Sequence, residues 1–235
     1  MTALFSLYRW IVGILYVGLI CAIIITCSLI LAPAAYDPFF KASMRFLFKL
    51  LFIPVRVTGA ERVRPGRPVL FMANHVSIFD SPLLGGFLPG RVRGVEWAPH
   101  FRWPLFGVLL RRVGNIPIDR DDVFSSMKSM RKAQRRLLTG GSLAIMPEAH
   151  RTLDGNLRHF KRLPFHMAHT AGVDIVPVGT SGLYGLNNKN SWKIHSALIR
   201  VAIGEPITAE EAGGHTVDEL RRIMHQRIQE LIVRP

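Results

Sequence analysis

The stretch Val69-Leu70-Phe71-Met72-Ala73-Asn74-His75-Val76-Ser77-Ile78-Phe79-Asp80-Ser81-Pro82 decides the fold. Five apolar residues in a row fit a strand buried on both faces, and the polar cluster after them lies where α/β proteins place their sites, at a strand's carboxyl end. Ser81-Pro82 predicts a helix start beside Asp80. His75 is the side chain able to take a proton near neutral pH, and a carboxylate beside it would fix its tautomer. In one continuous helix the five-residue step from His75 to Asp80 would separate them by ~140°, so pairing requires the chain to turn between them. Two readings stand here: a His75–Asp80 pair, or an Asp80 that merely caps the helix beside an ordinary loop histidine.

Outward from this stretch, short apolar runs alternate with amphipathic helices, the α/β signature, without an internal repeat. Predicted strands are Val55–Thr58, Pro68–Ala73, Val92–Glu96, Asn115–Ile118, Ser142–Met146, Ile175–Gly179 and Leu198–Ile203. A helix is predicted from Asp122 to Leu138, stopped by Gly140-Gly141. Its face of Lys128, Arg131, Lys132, Arg135 and Arg136 reads as solvated, or as a dock for an acidic membrane or acyl carrier. A last helix, Thr216 to Val233, opens with the capping box Thr216/Glu219.

The first quarter has a different composition. No charge occurs from Ile11 to Leu31, a run long enough to span the ~30 Å hydrocarbon layer. Tyr8, Trp10 and Tyr36 flank it, and Pro33 with Asp37-Pro38 is expected to stop the helix. Small residues at Leu31-Ala32-Pro33-Ala34-Ala35 resemble a cleavage site, but signal cores run only ~7–15 residues, so an uncleaved anchor is the expectation. From Phe39 to Ile53, Lys41, Arg45 and Lys49 share a face amid aromatic and aliphatic residues. That pattern suits a helix lying in the membrane interface, and equally a core helix with cations facing water. The resulting organisation is an anchor over 1–35, an amphipathic interfacial helix over 36–54 and a catalytic domain over 55–235. The positive-inside rule puts that domain on the cytoplasmic side, which in a bacterium means the inner membrane.

The whole chain has 235 residues, 49% of them apolar, with 30 Lys and Arg against 16 Asp and Glu, a formal charge of +14. Such a balance suits an anionic partner. Nucleic acid is not the expected one, since the aromatics gather in the membrane-like segments rather than among basic strands. Cys21 and Cys27 both fall in the apolar run, which excludes a disulfide scaffold and a thiolate metal cluster. No P-loop, dinucleotide fingerprint or Gly-x-Ser-x-Gly elbow is present. Two further clusters follow predicted strands: Asn115-Ile116-Pro117-Ile118-Asp119-Arg120, and Met146-Pro147-Glu148-Ala149-His150-Arg151-Thr152. Arg120 and Arg151 supply planar donor forks suited to phosphate, and Glu148 an acceptor for hydroxyls.

From Val55 to Ile203 the sequence resembles the glycerolipid acyltransferases of the 1-acylglycerol-3-phosphate acyltransferase type. Four ordered blocks carry the resemblance: Asn74-His75 with Asp80; Pro104-Leu105-Phe106-Gly107 running to Arg120; Pro147-Glu148 with Arg151, continuing to Asp154-Gly155 and Phe160-Lys161-Arg162; and Ile175-Val176-Pro177-Val178. It implies a mixed central sheet flanked by helices. It also implies that His75 deprotonates the acceptor hydroxyl, that Asp80 orients His75, and that Asn74, Arg120, Glu148, His150 and Arg151 bind the acceptor. Val176, Pro177 and Val178 would wall the acyl site. The implied donor is an acyl-CoA or acyl carrier protein thioester, the acceptor lysophosphatidic acid and the product phosphatidic acid, with no metal or other cofactor. Two departures stand out: Trp97 and Pro99 replace the family's usual Lys and Glu, and Ala149-His150 replaces Gly-Thr. They leave another lyso-acceptor, such as an amino-acid lipid, as an alternative, alongside a hydrolase and an inactive binding module.

Overall fold

The computed structural model describes residues 2–233. Its elements are α1 (Thr2–Cys27), α2 (Pro33–Leu50), β1 (Val55–Thr58), β2 (Val69–Ala73), α3 (Asp80–Phe87), β3 (Val92–Trp97), α4 (Phe106–Val113), β4 (Ile116–Ile118), α5 (Val123–Leu138), β5 (Ser142–Ile145), α6 (Arg162–Ala171), β6 (Asp174–Ser181), α7 (Leu183–Leu186), β7 (Ile199–Ile203), α8 (Ala209–Gly213) and α9 (Val217–Leu231). The strands form one sheet in the order β1-β7-β6-β2-β5-β3-β4, parallel throughout except where β7 runs against β6. The sheet is therefore mixed, as expected.

Alternation along β2 explains its unbroken apolar run. Val69, Phe71 and Ala73 face a core completed by Leu47 and Phe48 of α2 and by Leu83 and Leu84 of α3. Leu70 and Met72 face the other core, built with Leu137 of α5, Phe165 of α6 and Met224 of α9. β2 lies between β6 and β5, so its carboxyl end opens at the centre of one edge of the sheet. Asp122, expected as the first helical residue, is instead the cap of α5 and accepts from Phe124 N, and the Thr216/Glu219 box opens α9 as the sequence indicated.

The N-terminal segments depart from expectation in two ways. Pro33 does not stop the first helix but starts α2, in whose first turn its missing N–H costs nothing, and Pro38 lies within that helix. Asp37, expected to help end a helix, is instead a buried member of α2, with Arg93 Nη1 2.6 Å from its Oδ1. α2 packs on α3 and buries Met44, Leu47 and Phe48, while Arg45 Nε donates to Gly86 O and Lys41 Nζ to Leu88 O and Gly90 O. Two of the three cations assigned to the interface thus bind carbonyls at the carboxyl end of α3, where a helix dipole favours them.

Ala3–Cys27 of α1 is long and apolar enough to cross a membrane. It is also docked on the domain along its length. Arg9, 1% exposed, donates to Leu51 O (2.9 Å) and Ile194 O (3.0 Å), Tyr16 Oη to Ser43 O, and Ile20 and Ile24 pack with Met44 and Leu109. Leu4, Leu7, Ile11, Ile14, Leu15 and Leu19 stay exposed on its outer side.

Candidate active site

The carboxyl end of β2 is pinned before any chemistry begins. Asn74 is buried, and its Nδ2 donates to Thr180 O (3.0 Å) while Thr180 N donates to its Oδ1 (2.7 Å), fastening β2 to β6. Its amide is thereby engaged within the protein rather than presented to an acceptor. His75 is then held on both sides of its peptide: its N–H donates to Glu148 Oε1 at 2.6 Å, and its carbonyl accepts from Thr152 N at 2.9 Å.

The His75 ring lies with Nδ1 2.6 Å from Asp80 Oδ2. The same oxygen accepts from Val76 N (2.7 Å) and Ser77 N (2.9 Å). An oxygen facing two amide donors is an acceptor towards the third group as well, so the network assigns the proton to Nδ1 and leaves the lone pair on Nε2. The turn that the spacing demanded is present, since α3 begins at Asp80 and the residues between are not helical. Asp80 does not choose between the two readings of the sequence: it opens α3 and also orients His75. Its side chain is 1% exposed and that of His75 12%, so the imidazole is the member of the pair that reaches the surface.

Glu148 has both oxygens committed to backbone, Oε1 to His75 N and Oε2 to Arg158 N (2.8 Å). This differs from the hydroxyl-binding role implied by the resemblance; the carboxylate buttresses the loop that carries His75. Burial pushes its carboxyl up to about 7, against the opposing pull of these two amides. A carboxyl shifted above its ordinary 4.5 binds more protons folded than unfolded, adding stability that is full below about 4.5 and lost as pH rises through about 7. That gap corresponds to roughly 3 kcal/mol. Lowering the pH from 8 to 5 is therefore expected to stabilise the native protein by up to about that amount relative to Glu148→Gln, measured by denaturant unfolding. A pH-independent difference would show that Glu148 stays ionised. Glu148→Gln should also lower turnover at least roughly tenfold, because its NH₂ must confront one amide donor and displace the His75 loop.

Arg120 follows β4 while His150 and Arg151 follow β5, the two strands that flank β3, and Arg120 lies within electrostatic reach of both. Burial first, and then the nearby Arg151, lower the Arg120 pKa, while Glu96 opposes them. Partial desolvation of the largely exposed His150, with Arg120 and Arg158 nearby, pushes it below its ordinary value. Ala149, standing where the family usually has Gly, adopts φ 64°, a left-handed conformation that explains the usual glycine. Val176, Pro177 and Val178 do not form one wall. Strand alternation turns Val176 and Val178, each 0% exposed, into the α2/α3 core, and Pro177 to the opposite face against Gly204. A cavity that reaches Ser81, the residue after Asp80, is lined instead by Phe40, Leu84 and Met146 and runs along β3 from Val92 and Arg93 to Glu96.

Sequence reasoning missed Glu96 and His100. The buried Glu96 accepts from Ser81 Oγ at 2.8 Å and lies 3.0 Å from His100 Nδ1. Burial works to raise its pKa, but the bonds from His100 and Ser81 outweigh that and hold it below the usual range. His100 packs among Trp97, Trp103 and Phe106, with Trp103 53% exposed. The Glu-x-x-x-His spacing, with Trp97 inside it and Trp103 three residues beyond, was the available signal.

A family model described as Acyltransferase matches residues 54–181, from the entry to β1 to the end of β6. The chain belongs to the Acyltransferase family. Among family relatives, a 1-acyl-sn-glycerol-3-phosphate acyltransferase of Limnanthes douglasii is 26% identical over 174 residues, covering 74% of this chain and 61% of that protein. A lyso-ornithine lipid O-acyltransferase of Pseudomonas aeruginosa is 37% identical over 127 residues, 54% of this chain and 47% of that protein. The chain thus spans less than two thirds of the length of these curated relatives. The crystal structure of the 1-acyl-sn-glycerophosphate (LPA) acyltransferase from Thermotoga maritima superposes with a TM-score of 0.86 at 22% identity, covering 97% of this chain and 93% of that one. The Acyltransferase fold therefore extends over α1 and α2 as well as the sheet.

Proposed function

We propose that the protein transfers an acyl group from an acyl-CoA or acyl carrier protein thioester to the free hydroxyl of 1-acyl-sn-glycerol 3-phosphate, giving phosphatidic acid. The observation that carries this reading is a His75 ring whose Nδ1 is held by Asp80, at a sheet edge that also gathers Arg120 and Arg151. Nε2 takes the hydroxyl proton as the oxygen attacks the thioester carbonyl. The tetrahedral centre then collapses, the C–S bond breaks, and the thiolate takes the proton from the imidazolium. Arg120 and Arg151 clamp the acceptor phosphate, and the cavity between α3 and β3 takes the acyl chain. The outer apolar side of α1 seats the domain on the membrane, on its cytoplasmic side.

The purified chain should form product from a labelled acyl thioester only when a lyso-acceptor is added; free fatty acid without acceptor would make it a hydrolase. Charge-assisted bonds of the Arg–phosphate kind are worth about 1.5–3 kcal/mol. Arg151→Ala is therefore expected to raise KM for lysophosphatidic acid on the order of 10- to 100-fold with kcat much less affected. A second reading is favoured by the Trp97–His100–Trp103 shelf beside Glu96, whose aromatic faces and negative charge suit the ammonium of a lyso-amino-acid lipid. Equal amounts of both acceptors in competition decide: preference for the amino-acid lipid, undiminished in Arg151→Ala, overturns the phosphate clamp.

A further inference from the structure

The opposite edge of the sheet, where β3 begins, is the far end of the cavity assigned to the acyl chain, which Val92 and Arg93 also line. Five residues of strand at ~3.3 Å each put it roughly 17 Å from the His75 edge. Arg93 lies there with 2% exposure. Its Nη1 meets Asp37 Oδ1 at 2.6 Å and donates to Val92 O at 3.1 Å, yet its Nε and Nη2 are buried with no hydrogen-bond partner among the described residues. Gly114, at φ 94°, passes beside this guanidinium, where even an added Cβ would stand 3.9 Å from Nε. From the last turn of α5, Arg136 folds over Gly141 so closely that a Cβ there would meet its Nε at 2.3 Å; that Nε too is buried and unpartnered among the described residues. Burial first, and then the nearby charges of Arg91 and Arg93, lower the Arg136 pKa.

Val92 pairs with Ser142, so Gly141 and the Arg136 side chain laid against it stand beside Arg91 at the start of β3, two residues from Arg93, and of the three cations Arg93 is the one that meets a carboxylate, Asp37. An ion pair that only fastened α2 to β3 would need Arg93 and Asp37 alone. Like charge would then drive Arg136 outward to water, whereas it lies against Gly141 with its Nε buried. Buried guanidinium N–H groups without acceptors are costly, and a tetrahedral oxyanion matches their fork geometry.

We propose that Arg93, Arg136 and Arg91 form a second anion site, for a phosphate group, at the amino-terminal edge of the sheet. Two sources share that chemistry: free phosphate, or the headgroup of an anionic phospholipid reaching over α2, whose preceding turn exposes Leu29, Ile30 and Leu31.

The test is thermal unfolding of the full chain in neutral detergent, in one arm with inorganic phosphate against chloride at equal ionic strength, and in the other with phosphatidylglycerol against phosphatidylcholine in the micelles. Arg151→Ala protein serves as the reference, so that the proposed acceptor clamp is left with Arg120 alone. A rise in Tm of roughly 5 °C is expected with ligand a hundredfold above its Kd, and it should vanish in Arg136→Gln on the same background. Arg136 rather than Arg93 is replaced because it is only half-buried, whereas Arg93 is buried against Asp37. A response to phosphate assigns the free anion, and a response to phosphatidylglycerol alone assigns the headgroup. No response in either arm, or a response that Arg136→Gln retains, overturns the site.

Discussion

Replacing His75 by alanine is expected to slow acyl transfer by roughly two to four orders of magnitude at saturating acceptor, the usual worth of a positioned general base. The loss should be confined to chemistry. The His75 peptide is held by Glu148 Oε1 and Thr152 N, neither of which touches the ring, and Asp80 Oδ2 keeps its two amide donors when the imidazole is gone. One hydrogen bond disappears from a partly exposed side chain, a cost of about 1 kcal/mol. Turnover on labelled thioester, measured beside the unfolding midpoint, checks both halves. A variant that folds and retains near-native turnover would remove His75 from the mechanism.

The sequence was most informative where structure is local. β2 was legible because a run buried on both faces has a plain signature, and the His75–Asp80 pair because both residues sit within one loop and a helix start. β6 was expected to end at Gly179 but continues through Thr180 and Ser181. Its polar end is paired with β7 and fastened to Asn74, 106 residues away, which apolar patterning does not register. The Glu148–His75 contact spans 73 residues and was hidden for the same reason, so a structural carboxylate read as a ligand for hydroxyls. In α2, periodicity located the cations but not their partners, because Gly86, Leu88 and Gly90 offer backbone carbonyls that any sequence would provide. The acyl wall failed on a simpler point, since consecutive strand residues cannot share a face.

Asp80→Asn carries the other large effect, and it separates the two roles that one oxygen combines. The asparagine is nearly isosteric, so the start of α3 should survive. In one orientation its Oδ1 accepts from Val76 N and Ser77 N as the carboxylate oxygen does, and its NH₂ replaces Asp80 Oδ1, which is buried without a hydrogen-bond partner among the described residues. An amide donor stranded there costs about 1–3 kcal/mol. In the flipped orientation the NH₂ opposes two amide donors and offers His75 Nδ1 a proton, so the ring takes the other tautomer and Nε2 loses its lone pair. In both, the negative charge that steadies the imidazolium is absent. Turnover is expected to fall by up to about 10⁴-fold, the scale known when such a carboxylate is neutralised in a comparable triad, with KM for the acceptor little changed. The split between kcat and KM is the informative measurement. Loss of stability with turnover preserved would leave Asp80 as the opening residue of α3 and nothing more, whereas loss of kcat in a protein that still folds cooperatively assigns it to the reaction through His75.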